Sequence, residues 1–436
     1  MIELNIAELT SLSCVRLFSI HSSITTINRF SIIGEPEAIS DSVLYIGNYS
    51  NDLQWYNYSF DRSVLIPWLS RKYSNWIFVI DNLSLLSTEK NNYIYVESVD
   101  KFVSELIALV VRNAKIATIA VTGSVGKTTF CRLLAELLPD SQLISSKRLT
   151  PLIIGDFFLN RIKPETKIVI AEVGFYYIGQ VNELSIILNP LIGILLNVYD
   201  MHLDWNGVKD RKGILDEKLA VIHNSKVAII PRHTMSWIKE IYPETSEVHQ
   251  VPQESIKQVL EKISWIPRTL VGSDIVESLL LVKKVINYDN EQVQGKLIER
   301  IENASRLGRL KLVRSKQPQI FLDSHSSIAG YFQAISNNQY SKCCLVILSL
   351  HFGNESVEQN LRRIMATFNC FTQVLIERKL KSIFLPYSYE SIQWIDKKGL
   401  AKIEEFEGII FLHDPQGHRF TREYKKTWSL LITAST

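Results

Sequence analysis

The stretch IATIAVTGSVGKTTFCRLLAELL, residues 116–138, decides the fold of this chain. An apolar run typical of a buried strand ends at Thr122, a glycine-containing turn follows, and a helical pattern begins at Lys127. This strand, loop and helix are the setting of a phosphate-binding loop. The usual loop reads G-x-x-x-x-G-K-[ST], whereas here Gly123 precedes Gly126 by only three positions. The stretch therefore predicts a contracted phosphate-binding loop within an α/β sheet.

Each part of this loop suits a phosphate group. Glycines allow backbone amides to converge on phosphate oxygens, and the helix N-terminus adds partial positive charge. We expect Lys127 to reach the β- and γ-phosphates and the Thr128 hydroxyl to bind magnesium. The predicted nucleotide-binding residues of the loop are Gly123, Ser124, Val125, Gly126, Lys127, Thr128 and Thr129. The alternative is a glycine turn in a doubly wound sheet that binds no nucleotide.

The rest of the chain divides into three predicted regions. Residues 1–112 read as a small mixed α/β domain, rich in strands, that would bind substrate. In residues 113–304, buried-type strands alternate with helices, which predicts a parallel sheet with helices on both faces. Residues 305–436 read as a Rossmann-like α/β domain whose predicted strands include SIFLPY at 382–387. The fold class predicted is therefore α/β with three domains.

Composition excludes several classes of function. A net charge of +3 over 436 residues gives no support for nucleic-acid binding. The five cysteines are scattered without a C-x-x-C pair, which favours a reducing compartment over zinc or disulfides. Apolar runs fall short of the roughly 18 residues of a membrane helix, and the N-terminus lacks a basic signal region. We expect a cytoplasmic protein without membrane insertion.

The contracted form T-G-S-x-G-K-T-T resembles the loop of the Mur ligase family. Those enzymes form amide bonds at the expense of ATP, so the resemblance implies a small-molecule carboxylate substrate and an amino acid or amine as its partner. It also implies two magnesium ions. Downstream, IVIAEVG places Glu172 where the family has a magnesium ligand, and NVYDMHLD resembles the family segment whose histidine, here His202, lies on the second magnesium.

Further residues follow from the same resemblance. Lys218 stands about where the family has a lysine that is commonly carbamylated, which would make it a ligand of the second metal, and Lys212 is the alternative. Arg309 in SRLGRL, with Asp323 and His325 in IFLDSHSS, would contact the nucleotide. Arg309 and Asp323 could also form only an interdomain salt bridge of small energy. By this resemblance the catalytic residues are Lys127, His202 and Lys218, and the metal ligands are Thr128, Glu172, His202 and Lys218.

Some family features are missing. The adenine-binding helix of the family carries two asparagines, whereas LVGSDIVESLLL keeps only Gly272. Near the N-terminus, SDSVLYIG lacks the arginine of the corresponding family segment. Three alternatives therefore stay open: a related ligase of secondary-metabolite or polyamide synthesis, a simple phosphate-loop kinase or ATPase, and a nucleotide-binding scaffold without catalysis. Oligomeric state is not predicted.

Overall fold

In a computed structural model, the part of the chain that the structure describes forms three larger β-sheets and one short two-stranded ladder. The structure describes residues 4–21, 23–27, 29–31, 43–47, 61–86, 91–138, 140–144, 149–199, 208–242, 252–262, 270–286, 298–299, 301, 310–314, 319–323, 343–347, 350, 357, 361–362, 364–365, 368, 371–384, 392–396 and 409–413.

The N-terminal region contains a mixed sheet in the order β2-β7-β6-β5-β4. β2 pairs antiparallel with β7, and the other pairs are parallel. Its elements, with the short ladder β1–β3, are β1 (Leu4–Asn5), α1 (Ile6–Thr10), β2 (Val15–Ser19), β3 (Thr26–Ile27), β4 (Arg29–Ser31), β5 (Val43–Ile46), a 3-10 turn (Arg62–Leu65), α2 (Ile66–Lys72), β6 (Ile77–Ile80), a second 3-10 turn (Leu83–Leu85), β7 (Asn92–Val96) and α3 (Val99–Ala114). The helix α3 begins after Ser98, whose hydroxyl accepts a hydrogen bond from the Lys101 amide.

The central region holds the loop and a five-stranded sheet in the order β12-β11-β8-β10-β9. β10 pairs parallel with both β8 and β9. The elements are β8 (Ala117–Thr122), α4 (Lys127–Leu137), β9 (Ser141–Ile144), α5 (Pro151–Asp156) with a π-turn (Phe157–Arg161), β10 (Ile168–Glu172), α6 (Gln180–Leu188), β11 (Ile192–Leu195), α7 (Arg211–His223), β12 (Val227–Ile229), α8 (Arg232–Ile241), α9 (Gln253–Lys262) and α10 (Leu270–Val285). All four residues of β11 are buried, as expected for a strand covered by helices on its faces. The predicted class, α/β with a central parallel sheet flanked by helices, is confirmed.

The C-terminal region contains a six-stranded sheet in the order β13-β14-β18-β15-β16-β17. β13 is antiparallel to β14, and the other pairs are parallel. The elements are β13 (Leu310–Arg314), β14 (Gln319–Asp323), β15 (Cys343–Ile347), β16 (Gln373–Glu377), a 3-10 turn (Arg378–Leu380), α11 (Lys381–Phe384), β17 (Ile392–Ile395) and β18 (Ile409–His413). A largely parallel sheet of this kind agrees with the predicted Rossmann-like region.

One predicted strand of this region is wrong. The stretch SIFLPY at 382–387 was expected to be a strand, but Lys381–Phe384 is a helix. The apolar residues Leu380, Ile383 and Phe384 follow the i, i+3, i+4 spacing of a helix face and pack in one apolar cluster. The short apolar run therefore had helical and not alternating periodicity once Leu380 is included.

The chain divides into two compact units that interleave along the sequence. One comprises Met1–Val121, Leu138–Gly193 and Glu217–Ala228, and the other comprises Thr122–Leu137, Ile194–Asp216 and Ile229–Thr436. The predicted domain limits, 1–112, 113–304 and 305–436, stay a prediction. Within the described ranges, no helix combines the length and the apolar character needed to cross a membrane.

Candidate nucleotide-binding site

The loop after β8 has the conformation that its glycines allow. Gly123 has a φ of 152° and Gly126 a φ of 87°, values that favour glycine. A Cβ atom on Gly126 would lie 3.3 Å from Ile275 Cδ1 and 3.3 Å from Val271 Cγ1, so α10 approaches the loop closely. The helix α4 starts at Lys127 immediately after this turn. Its N-terminus therefore faces the concave loop that would hold phosphate.

Lys127 folds its side chain back over the loop. The Lys127 Nζ atom donates to the Gly123 carbonyl oxygen at 2.8 Å and lies 3.4 Å from that of Ser124. Thr128 beside it is half-buried. The ammonium group thus lies over the backbone that a bound phosphate would approach, which fits an anionic ligand.

Asn197 clamps the loop from the end of β11. Its side chain is fully buried, and its Oδ1 accepts from the Val125 amide at 2.9 Å while its Nδ2 donates to the Val125 carbonyl at 3.0 Å. The Ser124 amide donates to the Asn197 carbonyl at 2.9 Å. Two consecutive residues of the loop are therefore fixed by one residue. In the sequence Asn197 appeared only as the start of the segment that contains His202.

The clamp continues at Tyr199. The Tyr199 amide donates to Ser124 Oγ at 2.9 Å, and that hydroxyl lies 3.3 Å from the Tyr199 carbonyl. The Tyr199 ring and Val125 belong to one buried apolar cluster that includes Leu345 and Phe368. Burial, together with the nearby Asp274 carboxyl, raises the pKa of the Tyr199 phenol. The loop is therefore held by main-chain and side-chain bonds and by apolar packing.

Arg211, the first residue of α7, is a further member of this site that sequence reasoning missed. Its Nε and Nη2 atoms donate to the Val198 carbonyl at 2.9 and 2.5 Å. The guanidinium lies 3.8 Å from the centre of the Trp237 ring. A single arginine seven residues before Lys218 carries no sequence signal, because its partner is a backbone carbonyl.

The face of α10 that carries Asp274, Glu277 and Ser278 is polar and buried, with side chains 1%, 4% and 0% exposed. Burial and the nearby Glu277 raise the pKa of the Asp274 carboxyl well above its usual value, although a hydrogen bond from the Asn197 side chain opposes this. Burial likewise raises the pKa of Glu277, whose Oε2 accepts from the Arg232 amide at 3.0 Å. The helix α10, which the resemblance matches to the adenine-binding helix of the family, carries no asparagine.

Glu172 is the last residue of β10. It pairs in register with Val121, two residues before Gly123, so it lies at the carboxyl end of its strand. Its side chain is half-buried. In open α/β sheets this edge is where ligands bind, and a carboxylate there suits magnesium.

The two candidate lysines of α7 differ in exposure. Lys218 is only 2% exposed, whereas the Lys212 side chain is 54% exposed and its Nζ donates to Asp216 Oδ2 at 3.1 Å. Beside Lys218, Glu217 accepts hydrogen bonds from the Gly179 amide at 2.9 and 3.1 Å. Carbamylation of either lysine stays a prediction.

The structure does not test the remaining predicted site residues. His202, Arg309 and His325 fall outside the described residues. Asp323 is the last residue of β14. Their roles as metal and nucleotide ligands stay predictions.

The candidate magnesium ligands Thr128 and Glu172 are oxygen donors on separate elements, α4 and β10. Over the described part of the chain, no group of three His, Cys, Asp or Glu side chains is arranged to hold a metal ion. Magnesium in nucleotide sites commonly takes one or two protein oxygens, with phosphate and water as its other ligands. Each of the two side chains carries an oxygen of that type, and their role as magnesium ligands stays a prediction.

The comparisons with known proteins agree with this geometry. Residues 121–277 match the family model of the Mur ligase middle domain. A UDP-N-acetylmuramoyl-tripeptide–D-alanyl-D-alanine ligase of Borreliella burgdorferi is 27% identical over 192 residues, which are 42% of this chain and 39% of that protein. The chain thus aligns with about two fifths of the length of this curated relative.

Solved structures show the fold beyond that region. The chain is similar to MurF from Acinetobacter baumannii, with a TM-score of 0.67, 15% identity and coverage of 98% of this chain and 99% of the other. It is also similar to the MurF ligase of Thermotoga maritima in complex with ADP, with a TM-score of 0.66, 16% identity and coverage of 92% and 98%. The resemblance predicted from the contracted loop is confirmed: residues 121–277 match the Mur ligase middle domain, and the chain is similar in fold to these MurF structures.

Proposed function

We propose that this protein is an ATP-dependent ligase that forms an amide bond between a carboxylate substrate and an amino acid or amine, with release of ADP and phosphate. The observation that carries the proposal is the contracted loop clamped by Asn197, inside a Mur ligase middle domain. A solved relative with this fold is a MurF ligase in complex with ADP. ATP and a divalent metal are thus the expected small molecules at the loop.

The reaction has two steps. A carboxylate oxygen of the substrate attacks the γ-phosphorus of ATP, the bond between that phosphorus and the β–γ bridging oxygen breaks, and ADP leaves. The amine nitrogen then attacks the acyl carbon, a proton leaves the nitrogen for solvent, and phosphate departs from the tetrahedral intermediate. Charge develops on phosphate oxygens in the first step, so fixed cations and amides stabilise it.

The residues of this chain would divide that work. Lys127 and the amides of residues 123–129 would bind and orient the phosphates, and Thr128 and Glu172 would each offer an oxygen to the first magnesium. Magnesium supplies positive charge that neutralises the phosphates. His202 and Lys218, the latter carbamylated, would be ligands of a second magnesium, with Lys212 as the alternative to Lys218. Arg309, Asp323 and His325 of the C-terminal region would contact the nucleotide.

The first substrates to test come from the relative in Borreliella burgdorferi, whose name specifies a UDP-N-acetylmuramoyl-tripeptide and D-alanyl-D-alanine. A second candidate function is ligation in secondary-metabolite or polyamide synthesis. The observation that favours it is the segment SDSVLYIG at 40–47, which lacks the arginine of the corresponding family segment.

The deciding experiment measures ADP release with and without each substrate, and identifies the product by mass spectrometry. We expect ADP release that requires both a carboxylate and an amine. The Lys127→Ala variant should abolish it, since the loop then loses its only ammonium at the phosphates. Lys163→Ala, at an exposed lysine, is the matched control and should retain the wild-type rate.

The other outcomes identify the alternatives. ADP release without any amine indicates a simple ATPase, and nucleotide binding without turnover indicates a scaffold. Turnover only with a pair that lacks UDP indicates the second candidate function. Full turnover in Lys127→Ala would contradict the assignment of the loop.

A further inference from the structure

The segment that clamps the loop is itself held by one arginine. Arg211 donates two hydrogen bonds, from Nε at 2.9 Å and from Nη2 at 2.5 Å, to the Val198 carbonyl oxygen. A charged donor makes stronger hydrogen bonds than a neutral one, and two from one fork fix the orientation of the acceptor. The Val198 carbonyl therefore cannot turn without losing both bonds.

Val198 stands between the two residues that bond to the loop. Asn197 receives the Ser124 amide and forms two side-chain bonds with Val125. Tyr199 bonds through its backbone with Ser124 Oγ. Because rotation of one peptide moves both of its neighbours, an anchor at Val198 fixes both halves of the clamp at once.

The guanidinium is in turn held in place by an aromatic ring. It lies 3.8 Å from the centre of the Trp237 ring and 5.9 Å from that of Tyr199. Arginine stacks on an aromatic face in this way and still offers its in-plane hydrogens, which lysine cannot do. His233, on the same helix as Trp237, has its pKa lowered by burial and by Arg211, so it does not add a competing positive charge at neutral pH.

An arginine at position 211 does not stabilise the N-terminus of its own helix. It is the first residue of α7, the next residue is Lys212, and no acidic residue lies in the first turn. A cation at a helix N-terminus opposes the helix dipole. The cap is instead supplied by Asp210, whose Oδ1 accepts from the Gly213 amide at 2.8 Å. The advantage of an arginine at position 211 therefore lies in what it contacts outside the helix.

We propose that Arg211 is a positioning residue for the nucleotide loop: anchored on Trp237, it holds the Val198 carbonyl and thereby keeps Asn197 and Tyr199 in the geometry that shapes residues 123–126 for phosphate. The proposal rests on the proposed function in that it takes the loop to bind ATP. Arg211 itself touches no reacting atom. Its removal lowers the fraction of molecules with a binding-competent loop, and apparent affinity falls in proportion to that fraction.

The test compares wild type, Arg211→Lys and Arg211→Ala, with Arg161→Lys as the matched control. Arg161 is a largely exposed arginine paired with Asp156 at 2.6 Å. Three quantities are measured on the full chain: the Kd for ADP with MgCl2 by titration calorimetry, amide hydrogen exchange by mass spectrometry, and Tm. We expect both Arg211 variants to weaken ADP binding by roughly tenfold or more.

The exchange pattern separates positioning from general stability. In Arg211→Lys we expect faster exchange confined to peptides that cover 122–127 and 196–199, with Tm close to that of the control. With a substrate pair that supports turnover, the KM for ATP should rise more than kcat falls. Faster exchange throughout the chain, with a lowered Tm and unchanged ADP affinity in the folded protein, would show a merely structural role and overturn the proposal.

Two further outcomes are interpretable. If the Arg211 variants do not fold, Trp237→Phe weakens the same anchor more gently, and it should give a smaller change in the same direction; unchanged loop exchange and ADP affinity in Trp237→Phe would then contradict the proposal. If wild type binds no ADP, the proposed function fails, whereas the exchange of residues 122–127 still decides whether Arg211 holds the loop.

Discussion

Two polar regions meet at the segment Asn197–Tyr199, and they differ in how their hydrogen bonds are satisfied. On the side of the loop, the Ser124 amide and both backbone groups of Val125 have partners within 3.0 Å. On the side of α10, Asp274 Oδ2, Glu277 Oε1 and Ser278 Oγ are buried and have no hydrogen-bond partner among the residues that the structure describes. The backbone groups of Ser124 and Val125 that the clamp contacts are thus satisfied, whereas the face of α10 keeps hydrogen-bonding capacity.

The two regions should therefore differ in how much a substitution changes the free energy of unfolding. A buried group without a partner costs roughly 1–3 kcal/mol, whereas a paired group contributes about 1 kcal/mol. Changes on the loop side should therefore be destabilising, and conservative changes on the α10 side should be tolerated or even favourable.

The largest effect is expected from Asn197→Ala. The substitution leaves the amide and the carbonyl of Val125 buried without partners, and it also removes a bond to Asp274. We expect a loss of about 3–5 kcal/mol in the free energy of unfolding, measured by urea denaturation. ADP binding should weaken as well, because the loop is no longer held.

Asn224→Ala is the matched control for this variant. The Asn224 Nδ2 atom donates to Asn182 Oδ1 and Ser185 Oγ, each at 3.0 Å, but at a site nearer the surface. Its loss should be about 1 kcal/mol or less. Equal losses in the two variants would refute the special status of the clamp.

The second largest effect is expected from Gly126→Ala, and comparison with Gly179→Ala separates the cost of backbone strain from the cost of steric contact with α10. Gly126 and Gly179 have nearly the same φ, 87° and 90°. A Cβ on Gly126 would meet Ile275 and Val271 at 3.3 Å, whereas a Cβ on Gly179 would meet nothing within 4 Å. Gly179→Ala should cost about 1–2 kcal/mol from its left-handed backbone alone. Gly126→Ala should cost about 1 kcal/mol more and weaken ADP binding.

Urea denaturation measures the destabilisation of both alanine variants. Equal values would show that the side chains of Ile275 and Val271 move aside for the new Cβ atom without a measurable loss of stability. In that case the neighbourhood of the loop is as adaptable as the face of α10, and the contrast between the two regions fails at this point.

The sequence predicts the loop side well because its information is local. Gly123, Gly126 and Lys127 stand at fixed offsets between a strand and a helix, and the structure has them in that arrangement. Glu172 was likewise predictable, since the run of apolar residues before it defines the end of β10. Periodicity of this kind reports which element a residue belongs to and where that element ends.

Other features of the site and the fold could not be predicted, because they depend on tertiary contacts or on residues outside the stretch that was considered. Arg211 bonds to a backbone carbonyl, and any residue has a carbonyl, so no partner can be recognised in the sequence. The buried state of Asp274 and Glu277 follows from the packing of α10 against the loop, whereas charged residues on a helix are most often exposed. The helix at Lys381–Phe384 was missed because its apolar spacing extends back to Leu380, outside the stretch taken for a strand.

The stability that the Asp274 carboxyl contributes should depend on pH. Because its pKa is raised in the folded state, the folded protein retains a proton that the unfolded chain releases above pH of about 4. The stability from this carboxyl is present at low pH and is lost as the pH rises towards the folded pKa. Asp274→Asn removes the titration while keeping an acceptor for Asn197.

The measurement is Tm as a function of pH from 4 to 9 for wild type and Asp274→Asn. We expect the Tm of Asp274→Asn to rise relative to that of wild type as the pH rises. Part of the pH dependence of Tm should remain in both proteins, because the pKa of Glu277 is also raised. A wild type that gains on the variant with rising pH would mean that Asp274 is ionised and paired, contrary to the environment described.

The smallest effect is expected from Ser278→Ala, and it is the sharpest test of the contrast because a chemically identical change is available elsewhere. Ser278 and Ser185 are both fully buried, yet Ser185 Oγ donates to the Val181 carbonyl at 2.7 Å and accepts from Asn224 Nδ2, whereas Ser278 Oγ has no partner within the described residues. Ser185→Ala should therefore cost about 1–2 kcal/mol, and Ser278→Ala should lie within about 0.5 kcal/mol of wild type or above it, since alanine removes a buried hydroxyl that contributes no bond. Urea denaturation of both variants decides the matter: equal losses would show that Ser278 is hydrogen-bonded, for instance to a buried water molecule, and that the face of α10 is as fully satisfied as the loop it packs against.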